Sequence, residues 1–355
     1  MKVSEKLENR VYCHLFNDYS GSAVVLRDHL QKEVQEGRSC MLITSNTNGV
    51  LSGLKGVRTL HFPYQPASNK LITLLRFFWA QLCMIYLLWQ NRKCFEQIYI
   101  NTLLPFGAAL MGYVSQTPWV YHIHETSIRP EIFKQFLKWP LIGAQEVIFV
   151  SAYLARAEGQ GLTNIRVIYN GLSEEFMQQS EAPRTSKKKG FVVLMLCSLK
   201  KYKGVDTFVN LAAFLPEYRF NLVLNASMEE VDQYFQNRPS NLFIYPAQKN
   251  IHPFYAEADL LLNLSDPEQW VETFGMTLLE GMAYGLPCIC PNAGGPLEVV
   301  ENGVQGICCD VTHMATLLTH IRKFARDKTY YRQLSAAAKV RANEFTSRKG
   351  MKAVG

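Results

Sequence analysis

Short apolar runs alternate with amphipathic stretches along most of this chain. Val11–Phe16 and Cys40–Thr44 are apolar runs bounded by polar and turn-forming residues, and the stretch 23–34 between them repeats apolar side chains at helical spacing. Such runs are typical of buried strands, and the helical spacing indicates an amphipathic helix. Strands that alternate with helices predict a parallel sheet covered by helices.

A polar, proline-containing stretch at 181–190 interrupts this alternation. Its composition is typical of a linker, and 355 residues are enough for two domains of ordinary size. We therefore predict an α/β protein with two doubly wound Rossmann-like domains that face a central cleft. The predicted domains are 1–180 and 191–329, followed by a helical stretch at 330–355.

The segment 264–295 has the pattern of loop, helix, short strand and turn. The helix is predicted to begin near Phe274 and Gly275, and Gly285 with Pro287 is predicted to end it. Unpaired N–H groups and the macrodipole at a helix N-terminus favour an anion, so this one could hold a phosphate.

Two glutamates frame the start of this helix. Glu272 lies in the loop, where it could accept sugar hydroxyls, and Glu280 lies two turns into the predicted helix, where it could accept ribose hydroxyls. The spacing alone fits equally well an amphipathic helix with a solvated acid at each end.

The residues around these glutamates resemble a known family. The run 272–287 reads E-x-F-G-M-T-L-L-E-G-M-A-Y-G-L-P, and 294–306 reads G-G-P-x-E-V-V-E-N-G-V-x-G. Both closely resemble the C-terminal half of retaining GT-B glycosyltransferases, specifically the family 4 (group 1) type with its E-x7-E signature. The resemblance implies the GT-B fold, with the stretch 330–355 returning to the first domain.

The resemblance also implies an activity. A hexose-type sugar would pass from a UDP- or GDP-sugar donor to a glycan or lipid-linked acceptor, with retention, in the synthesis of cell-surface polysaccharide or lipopolysaccharide. It implies no metal or other cofactor, and the chain contains no D-x-D sequence that would clamp a metal-bound diphosphate.

The segment 197–204 resembles the family's G-R-L-x-x-x-K-G motif. Lys203 and Gly204 match it, whereas Ser198 stands where the family has arginine. The resemblance therefore implies that Lys203 neutralises the diphosphate, although K-K-Y-K-G taken alone is more often a surface turn. The donor-binding residues implied are Gly21, Ser198, Lys203, Glu272, Phe274, Gly275, Met276, Thr277 and Glu280.

A predicted strand at Trp119–Glu125 ends in H-x-H-E. His122 and His124 would point to one face of the strand, but no third ligand with matching spacing follows, so a metal pair is not favoured. The resemblance implies that His124 faces the donor sugar. Together with Glu272 and Lys203, it completes the predicted catalytic set.

Gly21 lies in the loop between the first predicted strand and its helix. This connection is how α/β folds approach a phosphate, although a plain strand-to-helix turn explains a lone glycine as well. The resemblance implies that this loop faces the donor phosphates and the acceptor.

Leu71–Trp89 is the most apolar segment and is nearly long enough to span a membrane. Arg76 and Gln81 interrupt it, and a central arginine costs about 2.5–3.5 kcal/mol on insertion. We interpret the segment as a helix mostly packed on the first sheet. One alternative is a helix lying on a bilayer, which would make the protein peripheral to the inner leaflet. The other is a true membrane span.

Composition narrows the possible partners and the compartment. The net charge of +7 is spread along the chain, which suits an anionic donor or membrane surface better than nucleic acid. Nine cysteines without C-x-x-C spacing suit a reducing cytoplasm. The first residues lack the apolar core of a signal peptide, so we predict a cytoplasmic protein.

Two other functions fit the same pattern. A nucleotide-sugar epimerase or hydrolase of this architecture would convert its substrate without an acceptor. A non-catalytic nucleotide-sugar-binding subunit would bind a donor and transfer nothing, and Ser198 in place of arginine keeps this alternative open.

Overall fold

The computed structural model describes residues 8–126, 128–182 and 190–346. They form two compact units: unit 1 contains the described residues up to Ile168, and unit 2 begins at Tyr169. The predicted linker at 181–190 lies mostly outside the described residues, because 183–189 are not described. The predicted domain bounds therefore stay predictions.

Unit 1 is a parallel sheet of seven strands with helices between them. The strands are β1 (Glu8–Cys13), β2 (Cys40–Ser45), β3 (Val57–Phe62), β4 (Phe95–Asn101), β5 (Trp119–Ile123), β6 (Glu146–Phe149) and β7 (Ile165–Val167). The helices are α1 (Gly21–Gln35), α2 (Lys70–Gln90), α3 (Phe106–Ser115), α4 (Glu131–Lys138) and α5 (Ala152–Glu158), with a 3₁₀ turn at Trp139–Leu141.

Unit 2 is a parallel sheet of six strands built in the same way. The strands are β8 (Val192–Ser198), β9 (Arg219–Asn225), β10 (Leu242–Tyr245), β11 (Leu260–Leu262), β12 (Cys288–Pro291) and β13 (Gly306–Cys309). The helices are α6 (Glu174–Ser180), α7 (Val205–Phe214), α8 (Met228–Tyr234), α9 (His252–Glu257), α10 (Met276–Ala283), α11 (Pro296–Val299), α12 (Met314–Arg326) and α13 (Lys328–Ala342). The 3₁₀ turns are Lys201–Lys203 and Asn343–Phe345.

Both sheets follow the doubly wound strand order. In unit 1 the order is β3-β2-β1-β4-β5-β6-β7, and in unit 2 it is β10-β9-β8-β11-β12-β13. The order therefore reverses between β1 and β4, and again between β8 and β11. Crevices at the carboxyl ends of such strand pairs are where doubly wound folds bind ligands. The predicted pair of Rossmann-like α/β domains is confirmed.

Local signals set several element ends, and α10 ends before Gly285 as predicted. Ser151 caps α5, because its hydroxyl accepts a hydrogen bond from Leu154 N–H at 3.1 Å. Gly285 follows α10 with a φ of +71°, a left-handed conformation that favours glycine. Helix α10 begins at Met276, so Glu280 lies just past its first turn. The prediction had placed Glu280 two turns into the helix.

Helix α13 packs within unit 2. The Ser335 hydroxyl donates to the Gly285 carbonyl at 2.6 Å, and the Arg341 guanidinium donates to the Glu298 carbonyl at 2.7 Å. The return of the stretch 330–355 to the first domain stays a prediction.

Helix α2 forms where the sequence predicts a helix, but its packing differs from the prediction. Phe77, Ala80, Gln81, Met84 and Leu88 are buried, yet only 28% of its most apolar 18-residue window is buried. The interpretation that this helix is mostly packed on the sheet is wrong, because one narrow stripe makes the contact. Of the described helices, this one is long and apolar enough to cross a membrane by length and composition.

Candidate functional site

The strand order of unit 2 brings two predicted residues into direct contact. Lys203 ends the turn after β8, and Glu272 lies in the loop after β11. The Lys203 ammonium donates to Glu272 Oε1, and the Ser265 hydroxyl donates to the same oxygen at 3.0 Å. The residue predicted to bind the diphosphate and the residue predicted to bind the sugar thus form an ion pair. Ser265, which sequence reasoning left without a role, completes the cluster.

The backbone holds the two loops together at this pair. Gly204 has a φ of +75°, and a Cβ there would lie 2.4 Å from the Leu264 carbonyl oxygen. The Asp266 N–H donates to the Tyr202 carbonyl at 2.8 Å. The turn that carries Lys203 and the loop that leads to Glu272 therefore make contact through backbone atoms, with little freedom to separate.

Two aromatic rings lie beside Lys203. Tyr202 and Trp270 stack with centroids 5.2 Å apart, and the Lys203 ammonium lies 5.4 Å from the Trp270 centroid. The side chains of Lys203 and Glu272 are only 14% and 20% exposed. A charge pair shielded in this way is screened less by salt than a pair on an open surface.

A second backbone contact fixes Glu272 from the β12–α11 turn. The Gly295 N–H donates to the Glu272 carbonyl at 2.9 Å. A Cβ on Gly294 would lie 2.4 Å from that carbonyl oxygen, and a Cβ on Gly295 would lie 2.1 Å from the Thr273 carbonyl oxygen. Only glycine allows this approach, which explains the G-G pair in the sequence.

The N-terminus of α10 follows Glu272 directly. Gly275 precedes the helix with a φ of +105° and caps it without a side chain, while the buried Phe274 ring lies against Tyr169 and Phe345 at about 6 Å. Met276 and Thr277 are the first residues of the helix, and backbone N–H groups at that position lack intrahelical partners. Helix α10 therefore begins close to Glu272, and the binding of a phosphate by its N–H groups stays a prediction.

Glu280 has a different set of neighbours. The Tyr255 hydroxyl donates to Glu280 Oε2 at 2.6 Å, and burial raises the pKa of Tyr255 well above its usual value. Tyr284 stacks on Tyr255 with centroids 5.6 Å apart, and its hydroxyl lies 2.5 Å from His252 Nδ1. Sequence reasoning found Glu280 but missed these partners on α9 and directly after α10.

Ser198 is the last residue of β8, and its carbonyl accepts a hydrogen bond from Lys200 N–H at 2.8 Å. Ser198 therefore lies at the strand end that faces the Lys203 turn. Cys197, which precedes it, is close enough to Lys203 and Glu272 that the charge of Lys203 lowers the pKa of its thiol and that of Glu272 raises it. Burial raises the pKa of this thiol to about 12, so it stays protonated at neutral pH.

In unit 1, His14, Asn101 and His124 meet at the carboxyl ends of β1, β4 and β5. His124 Nε2 lies 2.9 Å from Asn101 Oδ1, and Asn101 Nδ2 donates to the Ser22 carbonyl at 3.1 Å. Since Oδ1 only accepts, it holds His124 with a proton on Nε2. Asn101 and His14 are neighbours of His124 that the sequence did not identify.

Neutral imidazoles fill this part of unit 1. Burial lowers the pKa of His122 to about 3 and that of His29 to about 4, and it lowers the pKa values of His14 and His124 as well. The His122 and His124 rings lie 4.2 Å apart, and His122 Nδ1 lies 2.8 Å from the Tyr99 hydroxyl. No group of three or more metal-ligating side chains occurs among residues 8–126, 128–182 and 190–346.

These histidines predict that acid destabilises unit 1. The unfolded chain binds a proton at His122 near pH 6.5, whereas the folded chain excludes it down to about pH 3. Stability from this residue is therefore complete above pH 6.5 and is lost as the pH falls. When the pH falls from 7 to 5, we expect the wild type to lose about 2 kcal/mol more unfolding free energy than His122→Asn. Urea titrations at the two pH values measure this.

Tryptophan fluorescence suits the measurement, because Trp79, Trp89, Trp119 and Trp139 lie in unit 1 and only Trp270 lies in unit 2. The control is His61→Asn, an exposed position on β3. Glu125 acts in the opposite direction: burial raises its pKa to about 7, so its stabilising effect is lost as the pH rises from about 4.5 to 7. An unchanged pH dependence in His122→Asn would contradict the prediction.

Gly21 is the first residue of α1, and a Cβ there would meet no atom within 4 Å. Its backbone conformation does not require glycine either, because its φ is not among the positive values. The local structure therefore gives no reason why position 21 must be glycine, and it does not indicate that a ligand binds there. The donor-binding role of Gly21 stays a prediction.

Comparison with known proteins gives a family match in unit 2. Residues 177–341 match the family model for glycosyl transferases group 1. N-acetyl-alpha-D-glucosaminyl L-malate synthase of Bacillus anthracis is 26% identical over 187 residues, which cover 50% of this chain and 48% of that protein. GDP-mannose-dependent alpha-mannosyltransferase of Corynebacterium glutamicum is 26% identical over 163 residues, which cover 46% and 37%. The matches thus span about half the length of these relatives or less.

Solved structures are similar along nearly the whole chain. Anabaena Alr3699/HepE in complex with UDP-glucose superposes with a TM-score of 0.77 at 21% identity, covering 95% of each chain. WaaG, a glycosyltransferase involved in lipopolysaccharide biosynthesis, superposes with a TM-score of 0.72 at 11% identity, covering 98% of this chain and 100% of that one. The two Rossmann-like units thus have the fold of GT-B glycosyltransferases, as predicted.

Proposed function

We propose that this protein is a group 1 glycosyltransferase that moves a hexose-type sugar from a UDP- or GDP-sugar to a glycan or lipid-linked acceptor, with retention. The observation that carries the proposal is the Lys203–Glu272–Ser265 cluster at the β8/β11 switch point of unit 2. It lies within the segment that matches the group 1 family model. The UDP-glucose complex of HepE supports a uridine donor. The involvement of WaaG in lipopolysaccharide biosynthesis supports a role in the synthesis of lipopolysaccharide or another surface polysaccharide.

The cluster has the charges that this reaction needs. As the bond between the anomeric carbon and the diphosphate breaks, negative charge develops on the leaving oxygen, and Lys203 with the N–H groups at the start of α10 neutralises it. Glu272 accepts hydrogen bonds from sugar hydroxyls and holds the anomeric carbon in place. The acceptor oxygen bonds to that carbon on the same face, and its proton passes to the diphosphate oxygen. The balance requires no oxidant, metal or other cofactor.

The remaining predicted residues take supporting roles in the proposal. Glu280, held by the Tyr255 hydroxyl, accepts the ribose hydroxyls, and Ser198 lies at the strand end beside the diphosphate. The roles of His124 towards the donor sugar and of Gly21 towards the phosphates are proposed from the family resemblance.

A two-stage experiment tests the proposal. Thermal shift with a panel of UDP-, GDP- and ADP-sugars identifies the donor, because a ligand that binds the folded state raises the melting temperature. The purified chain is then incubated with the best donor and a lipid extract, and the anomeric configuration of the product is read by NMR. We expect transfer that depends on acceptor and retains the configuration.

Other outcomes of this experiment point to the other functions. Conversion of the donor without any acceptor indicates an epimerase or hydrolase. Binding without transfer to any extract indicates a nucleotide-sugar-binding subunit. An inverted product would contradict retention while leaving transfer intact.

A further inference from the structure

Helix α2 carries an apolar face that the rest of unit 1 leaves exposed. Leu75, Phe78, Leu82 and Trp89 follow one another at spacings of three, four and seven residues, so they share one side of the helix. Leu75 is 63% exposed and Leu82 is 58% exposed. Exposed apolar patches of this kind mark surfaces that bind a protein or a membrane.

The face continues onto α4 and the turn after it. Phe78 of α2 and Phe136 of α4 both lie against Phe106, with ring centroids 6.2 and 5.0 Å away. Trp139 follows Phe136 by three residues and is exposed, and Ile132 precedes it by four and is 81% exposed. We call Leu75, Phe78, Leu82, Trp89, Phe136 and Trp139 the apolar face.

Cations lie at both ends of α2, and no acid lies within it. Lys70 and Arg76 are near its start, Arg92 and Lys93 follow its end, and the helix contains neither Asp nor Glu. The Arg92 guanidinium lies 4.7 Å from the centroid of Trp89. Apolar side chains between cations, with tryptophans at the boundary, are typical of helices that lie in the interface of an anionic bilayer.

The packing of α2 argues against a transmembrane helix, and its charges argue against a second copy of the chain on the same face. The buried stripe of α2 packs within unit 1: the Gly107 N–H of α3 donates to Gln81 Oε1 at 2.9 Å, and Met84 is fully buried. Helix α2 therefore cannot cross a bilayer without leaving the domain. A second copy on the same face would bring like charges together in either direction, because both ends of α2 carry cations.

We propose that the apolar face docks on an anionic phospholipid bilayer, with α2 lying in the headgroup plane. The inference rests on unit 1 alone and does not depend on the proposed function. If that function also holds, the same surface places the enzyme where a lipid-linked acceptor resides.

Vesicle flotation tests the docking. Phosphatidylcholine vesicles with phosphatidylglycerol should carry the full chain upward at low salt, and phosphatidylcholine alone should carry at least about tenfold less. Brominated lipid chains should quench much of the fluorescence, because Trp79, Trp89 and Trp139 of the five tryptophans are exposed on or beside the face.

Two variants and a matched control locate the surface. Leu75→Glu and Leu82→Glu should each lower the fraction bound by about tenfold or more, because each removes apolar burial and adds a charge that lipid repels. Phe214→Glu makes an equivalent change at a 59% exposed position of unit 2 and should leave binding unchanged. Thermal unfolding checks that all three fold.

Three results would overturn the proposal. One is failure of the wild type to float with phosphatidylglycerol vesicles at low salt. Another is an equal loss of binding in Phe214→Glu. The last is a dimer in sedimentation that Leu75→Glu dissociates, because the face would then be the interface between two copies.

Discussion

Glu272→Gln is expected to lower turnover by at least about 10² while the chain stays folded, because it removes the charge that holds Lys203 and positions the sugar. The amide can still accept the Ser265 hydrogen bond, so the loss of charge is isolated from the loss of shape. Steady-state kinetics with the donor found by thermal shift measure the effect, and circular dichroism checks the fold.

Glu268→Gln is the matched control. Glu268 is exposed in the same loop, where its backbone N–H donates to Asp266 Oδ1 at 3.0 Å, so the variant makes the same chemical change four residues away. It should keep wild-type turnover. Full activity in Glu272→Gln would remove Glu272 from the site.

A double-variant cycle separates a pair that acts together from two independent residues. If Lys203 and Glu272 work as one unit, Lys203→Met with Glu272→Gln should be little worse than either single change. Independent roles would instead multiply the two losses. Residual transfer in all three variants, compared at saturating donor, decides between these outcomes.

Gly294→Ala is expected to destabilise unit 2 by about 2–5 kcal/mol and to weaken donor binding. Alanine at a φ of +74° costs about 1–2 kcal/mol, and its Cβ would lie 2.4 Å from the Glu272 carbonyl oxygen, which adds about 1–3 kcal/mol for the displaced backbone. Calorimetry and donor titration measure the two effects.

The chain offers a control that separates these causes. Gly303 has a φ of +81°, and a Cβ there would meet no atom within 4 Å, so Gly303→Ala carries the conformational cost alone. It should lose about 1–2 kcal/mol and bind donor normally. Equal losses in the two variants would show that contact with the Glu272 loop contributes nothing.

The sequence predicted the framework of this site well, because the signals are local. Strand–helix alternation gave both parallel sheets, and F-G before an apolar helix gave the glycine start of α10. The direct Lys203–Glu272 contact could not be predicted from local pattern. It depends on β8 and β11 being neighbours in the sheet, and the two residues are 69 positions apart in sequence.

The partners of Glu280 were missed for the same reason. Tyr255 lies in the six-residue helix α9, whose pattern is too short to show which way a side chain points. Only the packed sheet places its hydroxyl on a carboxylate 25 residues later. Asn101, which joins His14 and His124 in unit 1, is likewise a strand-end residue whose neighbours follow from strand order.

Helix α2 shows a limit of another kind. Apolar residues on all sides of a helix are typical of a buried helix, and this led to the wrong interpretation of its packing. The pattern records how apolar a segment is, whereas the amount of covering structure depends on the rest of the fold. A helix with one buried apolar stripe and one exposed apolar stripe can have the same composition as a helix that is buried on all sides.

If the proposed function holds, the Lys203–Glu272 ion pair has a consequence for the end of the catalytic cycle. A donor that places its diphosphate on Lys203 and its sugar on Glu272 separates the two charges, so part of its binding free energy is used to open the pair. When the spent nucleotide leaves, the pair closes again and the empty enzyme regains that energy. Re-formation of the pair therefore weakens product retention, and the resting contact favours release of the nucleotide.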